Sequence, residues 1–259
     1  MNLVFPYYFH IGSQTFHPHF VFDIFAYFIG YQVYRIQRKK NQNEIIASHS
    51  LGLLISAISG AFIVSKILAW LEHPEEYLSI IQEDQMNIMD KFYFLTQGKT
   101  IVGGIVGGWW GVELYKKYKN IPGSSGDYYA IPLCIGMIIG RFGCFLSGLE
   151  DKTHGVPSTM PWAIDFGDGI IRHPTQLYEV LFLITLLVTI VFYKNKLNKI
   201  KGNEFTFFLF AYFLFRFLIE FLKPNYKYPW CLSMIQSICL IISIYLGVNY
   251  FLNKKKYAY

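Results

Sequence analysis

Apolar residues gather along this chain into seven runs, roughly Phe20–Tyr34, Ser48–Leu71, Gly98–Tyr115, Tyr128–Leu146, Thr175–Tyr193, Glu204–Leu222 and Cys231–Leu252. A helix needs about 20 such residues to cross the hydrocarbon of a bilayer, with every backbone group paired inside the helix. The pattern predicts an all-α polytopic membrane protein of about seven transmembrane helices. Polar stretches separate the runs, and two are long enough to form sizeable outer loops, about 72–97 and 147–174. The first contains amphipathic material such as Leu78, Ile81, Ile88, Phe92 and Tyr93. Such material fits either the membrane surface or the ends of the spanning helices. No repeat of fixed period and no low-complexity linker interrupts residues 1–259, so a single integral-membrane domain is expected.

Composition sharpens this picture. Hydrophobic residues make up 53% of the 259 and charged ones only 15%, a balance that a water-soluble domain of this size rarely shows. The formal charge of +6 would suit nucleic acid if the cations lined one face. They are instead grouped between apolar runs, so a nucleic-acid partner is not expected. One set of connections holds fourteen cations, at Arg35, Arg38, Lys39 and Lys40, at Lys116, Lys117 and Lys119, at Lys194, Lys196, Lys199 and Lys201, and at Lys254–Lys256. The other set holds five, Lys91, Lys152, Arg172, Lys223 and Lys227. Cations accumulate on the cytoplasmic side, which predicts an outer N-terminus and a cytoplasmic C-terminus. The segment from Met1 to His19 lacks the basic start and apolar core of a signal peptide, so insertion is expected to use the first helix. Cys134, Cys144, Cys231 and Cys239 form no CxxC pair, and no metal site, disulfide framework or cofactor is expected.

Two arginines break the apolar pattern. Arg141 ends one apolar stretch and Arg216 sits inside Phe205–Leu222. A guanidinium at a helix centre costs about 2.5–3.5 kcal/mol on insertion, so each should face a cavity or a partner. Glu220, four residues after Arg216, lies on the same helix face and could pair with it while leaving donors for a phosphate. Glycine is dense between Gly98 and Gly111, with Gly103, Gly104, Gly107 and Gly108 at the four-residue spacing that lets helices approach closely or leaves room for a lipid. The segments Gly140–Gly155 and Met160–Glu179 are the richest in polar groups. They bring Arg141, Glu150, Asp151, His154, Asp165, Asp168, Arg172, His173, Gln176, Tyr178 and Glu179 to one face of the membrane.

These segments resemble the bacterial prolipoprotein diacylglyceryl transferases. The likeness lies in Gly103-Gly104-Ile105-Val106-Gly107, in Gly140-Arg141-Phe142-Gly143 with Phe145, and in Arg172-His173-Pro174-Thr175-Gln176-Leu177-Tyr178-Glu179. It continues through Phe215-Arg216, Glu220-Phe221 and Ser233-Met234 with Gln236. The chain departs from the family pattern at Val102, where a histidine is usual, and at Cys144 and Ser147, where asparagines are usual. The signature glutamate falls one place from Glu150. The resemblance implies seven helices in the bacterial cytoplasmic (inner) membrane, with phosphatidylglycerol, prolipoprotein signal peptides and membrane lipids as partners. It further implies transfer of a diacylglyceryl group to a cysteine thiol, forming a thioether and releasing glycerol phosphate. Arg141 and Arg216 are then expected to stabilise the departing phosphate. Gly103, Gly104, Gly143, Cys144, Ser147, Glu150, Arg172, Gln176, Tyr178 and Glu220 are expected to line the substrate. His173, His154 and Glu150 stay open as the base, with His173 preferred. A different acceptor on the same scaffold, or a phospholipid-binding protein without turnover, are the competing readings; a transporter is disfavoured because no inverted repeat is visible.

Overall fold

The computed structural model describes residues 4–40, 48–83, 86–197, 200 and 202–256. In chain order these form a hairpin of β1 (Phe9–Ile11) and β2 (Gln14–Phe16), then helices α1 (Pro18–Lys40), α2 (Ser50–Glu72), α3 (Pro74–Gln82), α4 (Ile88–Gln97), α5 (Ile101–Lys119) and α6 (Asp127–Ser147). A 3-10 turn at Gly148–Asp151 and a second hairpin, β3 (Ile164–Asp165) with β4 (Ile171–Arg172), precede α7 (Thr175–Phe192). The chain continues through α8 (Lys194–Leu197), α9 (Asn203–Ile219), a 3-10 turn at Glu220–Leu222 and α10 (Met234–Lys256). Each of the seven apolar runs carries a helix. Four, covering Ser50–Glu72, Asp127–Asp151, Thr175–Phe192 and Asn203–Leu222, are long and apolar enough to cross a membrane. On α2, Leu51, Ile55, Ile58 and Phe62 are exposed, a surface suited to lipid chains. Of the remaining three, α1 contains Asp23 and Arg35, α5 is diluted by glycine, and α10 shows an apolar stretch over Met234–Tyr250 among the described residues.

The loop expected at 72–97 is largely helical. Pro74 opens α3 with Glu75 and Glu76 in its first turn, where a missing amide costs little and negative charge meets the helix dipole favourably. Tyr77 is its buried anchor, whereas Leu78 and Ile81 on α3 and Ile88 and Phe92 on α4 stay exposed.

The chain divides into two compact units, one from residues 1–41 and 124–224, the other from 42–123 and 225–259. In the second unit, α2 and α5 pack face to face through glycine. A Cβ on Gly107 would collide with the Gly60 carbonyl, and one on Gly111 with the Ser56 carbonyl. Gly103 faces Ser65, and its amide donates to the Thr100 hydroxyl, which caps the start of α5. Gly104, by contrast, points into open space.

The first unit holds α1, α6, α7 and α9 around a core of Cys134, Leu183, Ile190, Phe208, Tyr212 and Phe213. Gly143 lets α1 approach α6, because a Cβ there would press on Phe22 at 2.7 Å. Asp127, in the first turn of α6, accepts hydrogen bonds from the Gly202 amide at 2.6 Å and the Phe205 amide at 2.9 Å, so it also caps the start of α9. The two helices therefore set out side by side from one level. Residues 127 to 141 and 202 to 216 are each fourteen steps, about 21 Å of helix at 1.5 Å per residue. That equal rise brings Arg141 and Arg216 to the same depth.

Close packing at Gly107 predicts that Gly107→Ala destabilises the folded protein by about 1–3 kcal/mol, the usual cost of overpacking. Gly104→Ala should leave the thermal unfolding midpoint in detergent unchanged; a similar loss in both variants would contradict this packing.

Candidate active site

Arg141 on α6 and Arg216 on α9 share one carboxylate, that of Glu179 on α7. Glu179 Oε2 lies 2.9 Å from Arg141 Nε and 3.4 Å from Arg216 NH1, and its Oε1 accepts the Tyr212 hydroxyl at 3.0 Å. Arg216 NH2 is also paired with Glu220, at 2.9 Å. All five side chains are buried. Without Glu179, Arg141 would lose its buried carboxylate and Arg216 would keep only Glu220, so the acid that α7 delivers between them balances the pair. Two guanidiniums offer ten N–H donors, more than two carboxylates with about four acceptor sites each can satisfy, and Tyr212 already occupies one. The surplus points to an anion. Gln176, one turn before Glu179, is 1% exposed, and neither atom of its amide finds a hydrogen-bond partner among the described residues. A buried amide left in that state marks a place for a ligand. Lys223, just beyond the 3-10 turn that follows α9, is buried too; burial, with the Arg216 guanidinium beside it, holds its ammonium down to about 8.

A second cluster adjoins the first. Arg141 NH1 donates to Cys144 Sγ at 3.5 Å, and the same sulfur lies 3.8 Å from His19 Nε2 at the start of α1. His19 Nε2 is also 2.9 Å from Asp151, and its Nδ1 is 3.0 Å from Asp23.

The family model for prolipoprotein diacylglyceryl transferase matches residues 6–252. The chain belongs to this family. A phosphatidylglycerol–prolipoprotein diacylglyceryl transferase from Wolbachia pipientis subsp. Culex pipiens is 28% identical over 90% of this chain and 89% of its own length. Those of Finegoldia magna and Clostridioides difficile are 35% and 34% identical, over 59% and 60% of this chain and 62% and 61% of their own.

The transferase-like site does not gather every residue expected from sequence. Arg141, Arg216, Glu220 and Gln176 stand together as described. Cys144 joins them through Arg141. Ser147 is spent inside its own helix, where its hydroxyl donates to the Gly143 carbonyl at 2.8 Å, and Gly143 serves the approach of α1. Glu150 is half exposed and accepts Tyr8 at 3.2 Å and His17 at 2.9 Å, which ties it to the N-terminal segment. Arg172 belongs to β4 and grips Asp168 with two bonds of 2.7 Å, a contact that pulls the Asp168 carboxyl down to about 2. Thr175 begins α7, as the apolar run implies, and Pro174 is its cap residue. His173 has its Nδ1 3.0 Å from the Tyr178 hydroxyl, which accepts the Trp162 indole at 2.7 Å, and its backbone bonds Gly155 and Val156. Among the described residues no hydrogen bond or ion pair joins His173 to the arginine cluster. His154 is partly exposed, and burial with the nearby Arg172 holds its imidazole below the usual value. Gly103 and Gly104 belong to the other compact unit.

Glu179, Tyr212, Lys223, His19 and Asp151 carry parts of the site that sequence reasoning left without a role. Glu179 had a legible signal, an acid set in an apolar run opposite two buried cations. Tyr212 had a weaker one, four residues from Arg216 and so on its face.

Replacing Glu179 by Ala should destabilise the protein by about 3–5 kcal/mol, because buried Arg141 loses its carboxylate and Arg216 one of its two. Tyr212→Phe removes only a hydrogen bond and should cost about 1 kcal/mol. Equal stability of the Glu179 variant and the parent in denaturant titration would contradict the shared-carboxylate arrangement.

Proposed function

We propose that this chain transfers the diacylglyceryl group of phosphatidylglycerol to the lipobox cysteine of prolipoproteins, forming a thioether and releasing glycerol phosphate. It does so as one multi-pass domain of seven spans in a bacterial inner membrane, with its N-terminus outside and its C-terminus in the cytoplasm. The observation that carries the reading is the buried Arg141–Glu179–Arg216 group, joined to membership of a transferase family. The fourteen-to-five division of cations supports the orientation, although Lys199 and Lys201 lie outside the described residues.

In the reaction the acceptor sulfur attacks a glycerol carbon as the bond from that carbon to the phosphate oxygen breaks. Negative charge grows on the departing glycerol phosphate. Arg141 and Arg216, fixed in place before the substrate arrives, meet that charge without reorganising, which is where preorganised cations contribute most. Gln176 hydrogen-bonds the lipid head, and Lys223 adds a third positive group. A free thiol titrates near 8.5, so the acceptor must also give up a proton. His173 is the proposed base, with His154 and Glu150 as the other candidates.

Arg141→Ala and Arg216→Ala should each abolish thioether formation on a lipobox peptide presented with phosphatidylglycerol vesicles, while the variants still insert into membranes. Full activity in either folded variant would defeat the phosphate role. Mass spectrometry of the same peptide with His173→Ala should show at least a tenfold slower mass gain, and an unchanged rate removes His173 as the base. Glycerol phosphate release without peptide modification would indicate another acceptor; tight lipid binding without release would indicate a binding protein. Because Lys223 loses its charge as pH rises through about 8, KM for phosphatidylglycerol should climb above that pH. Lys223→Gln should flatten the rise; a KM that climbs equally in this variant would exclude Lys223 as its source.

A further inference from the structure

We propose that His19, Cys144 and Asp151 form a three-ligand site for a zinc-class divalent ion, whose fourth position takes up the acceptor thiol. The three donor atoms, one imidazole nitrogen, one sulfur and one carboxylate oxygen, lie within 4.8 Å of one another. His19 Nε2 is 2.9 Å from Asp151 Oδ1 and 3.8 Å from Cys144 Sγ. A tetrahedral zinc with bonds of about 2.0–2.3 Å separates nitrogen from oxygen by roughly 3.3 Å and nitrogen or oxygen from sulfur by roughly 3.6 Å, so the two nitrogen edges need shift by only a few tenths of an ångström, while the sulfur–oxygen edge, within 4.8 Å, closes by up to about 1 Å on binding. The mixed donor set selects the ion: a thiolate and an imidazole suit zinc, whereas magnesium and calcium take oxygen alone.

The surrounding contacts are those a metal ligand needs. Asp23 holds His19 Nδ1 at 3.0 Å and so turns Nε2 toward the site, the carboxylate–histidine arrangement that orients metal-bound imidazoles. Thr153 donates its hydroxyl to the second oxygen of Asp151, leaving Oδ1 for the ion. Arg141 NH1 donates to Cys144 Sγ at 3.5 Å, and the charge of Arg141 is balanced by Glu179 rather than left facing the ion. Cys144 and Asp151 are enclosed, but the His19 side chain remains 21% exposed, which leaves a route inward.

Three protein ligands leave one coordination position, the mark of a reactive rather than a structural site. A thiol bound there gives up its proton outright. Resting on the transferase reading above, but with the ion in place of a side-chain base, the acceptor thiol gives its proton to solvent as it binds and remains as a thiolate. Its sulfur then forms the bond to the glycerol carbon as the carbon–oxygen bond breaks, with the electron pair leaving on the phosphate oxygen held by Arg141. The ion changes neither charge nor oxidation state, and no other reactant is consumed.

The test uses the full chain in detergent micelles, freed of metal by a chelator and carrying Cys231→Ser to remove the exposed cysteine. Titration with cobalt(II) should show one ion per chain and a near-ultraviolet thiolate-to-cobalt band. Cys144→Ser should abolish that band, and His19→Gln and Asp151→Asn should weaken binding at least tenfold. A cysteine lipobox peptide should intensify the band, and its serine counterpart should not. No thiolate band in the starting protein, a band that survives Cys144→Ser, or a bound ion indifferent to the cysteine peptide would each overturn the proposal; the first needs no folded variant. Thioether formation by fully metal-free protein would overturn this inference while sustaining the transferase reading. An ion bound as described with no thioether formed would support the site and overturn that reading.

Discussion

Two guanidiniums buried among apolar helices lose their hydration and repel one another, and the Glu179 carboxylate between them is what makes the arrangement tolerable. The surrounding architecture serves that contact. Asp127 caps α9 from the first turn of α6, so the two helices rise together and bring their arginines to one depth. α7 starts at Thr175, whose hydroxyl is anchored to the Thr153 carbonyl at 2.5 Å, and so places Glu179 one turn inside the helix at the matching level. Tyr212 and Glu220 hold the remaining edges of the charge cluster.

The same constraint explains how binding energy can be directed at a leaving group. A carboxylate shared by two arginines neutralises them enough to be buried but cannot occupy all their donors. The unspent donors and the amide of Gln176, unpartnered among the described residues, are fixed before any substrate arrives. Such preorganisation is most effective where water is scarce, as it is around these buried side chains. His19, Asp151 and Cys144 abut Arg141, so the chemistry of a thiol and that of a phosphate can meet across one guanidinium.

Helix positions were legible in sequence because the apolar runs are long and the intervening segments polar. α3 and α4 were missed for the opposite reason: they are short, their apolar residues are interspersed with acids, and periodicity in such stretches is hard to separate from a loop. Arg141 and Arg216 stood out because a charge in an apolar run demands a partner, and for Arg216 the four-residue spacing to Glu220 supplies one. Glu179 lies 37 residues from Arg216 and 38 from Arg141, and no local spacing links them. Only packing of α6, α7 and α9 does so. The His19, Cys144 and Asp151 cluster was hidden in the same way, since its members come from the start of one helix, the interior of another and the turn that follows it. Gly103 and Gly104 illustrate a finer limit: the four-residue spacing fits both registers of α5, but the Gly103–Gly107–Gly111 register is the one that meets α2 closely.

The central claim is that the carboxylate-bridged arginines recognise a lipid phosphate. Equilibrium binding of phosphatidylglycerol and of diacylglycerol with matched chains, measured by native mass spectrometry of the detergent-solubilised protein, tests it most directly, because the two ligands differ by the head group alone. The account predicts at least a tenfold preference for phosphatidylglycerol that disappears when either Arg141 or Arg216 is replaced by Gln. Equal affinity for the two lipids in the unaltered protein, or a preference that persists in both variants, would contradict it.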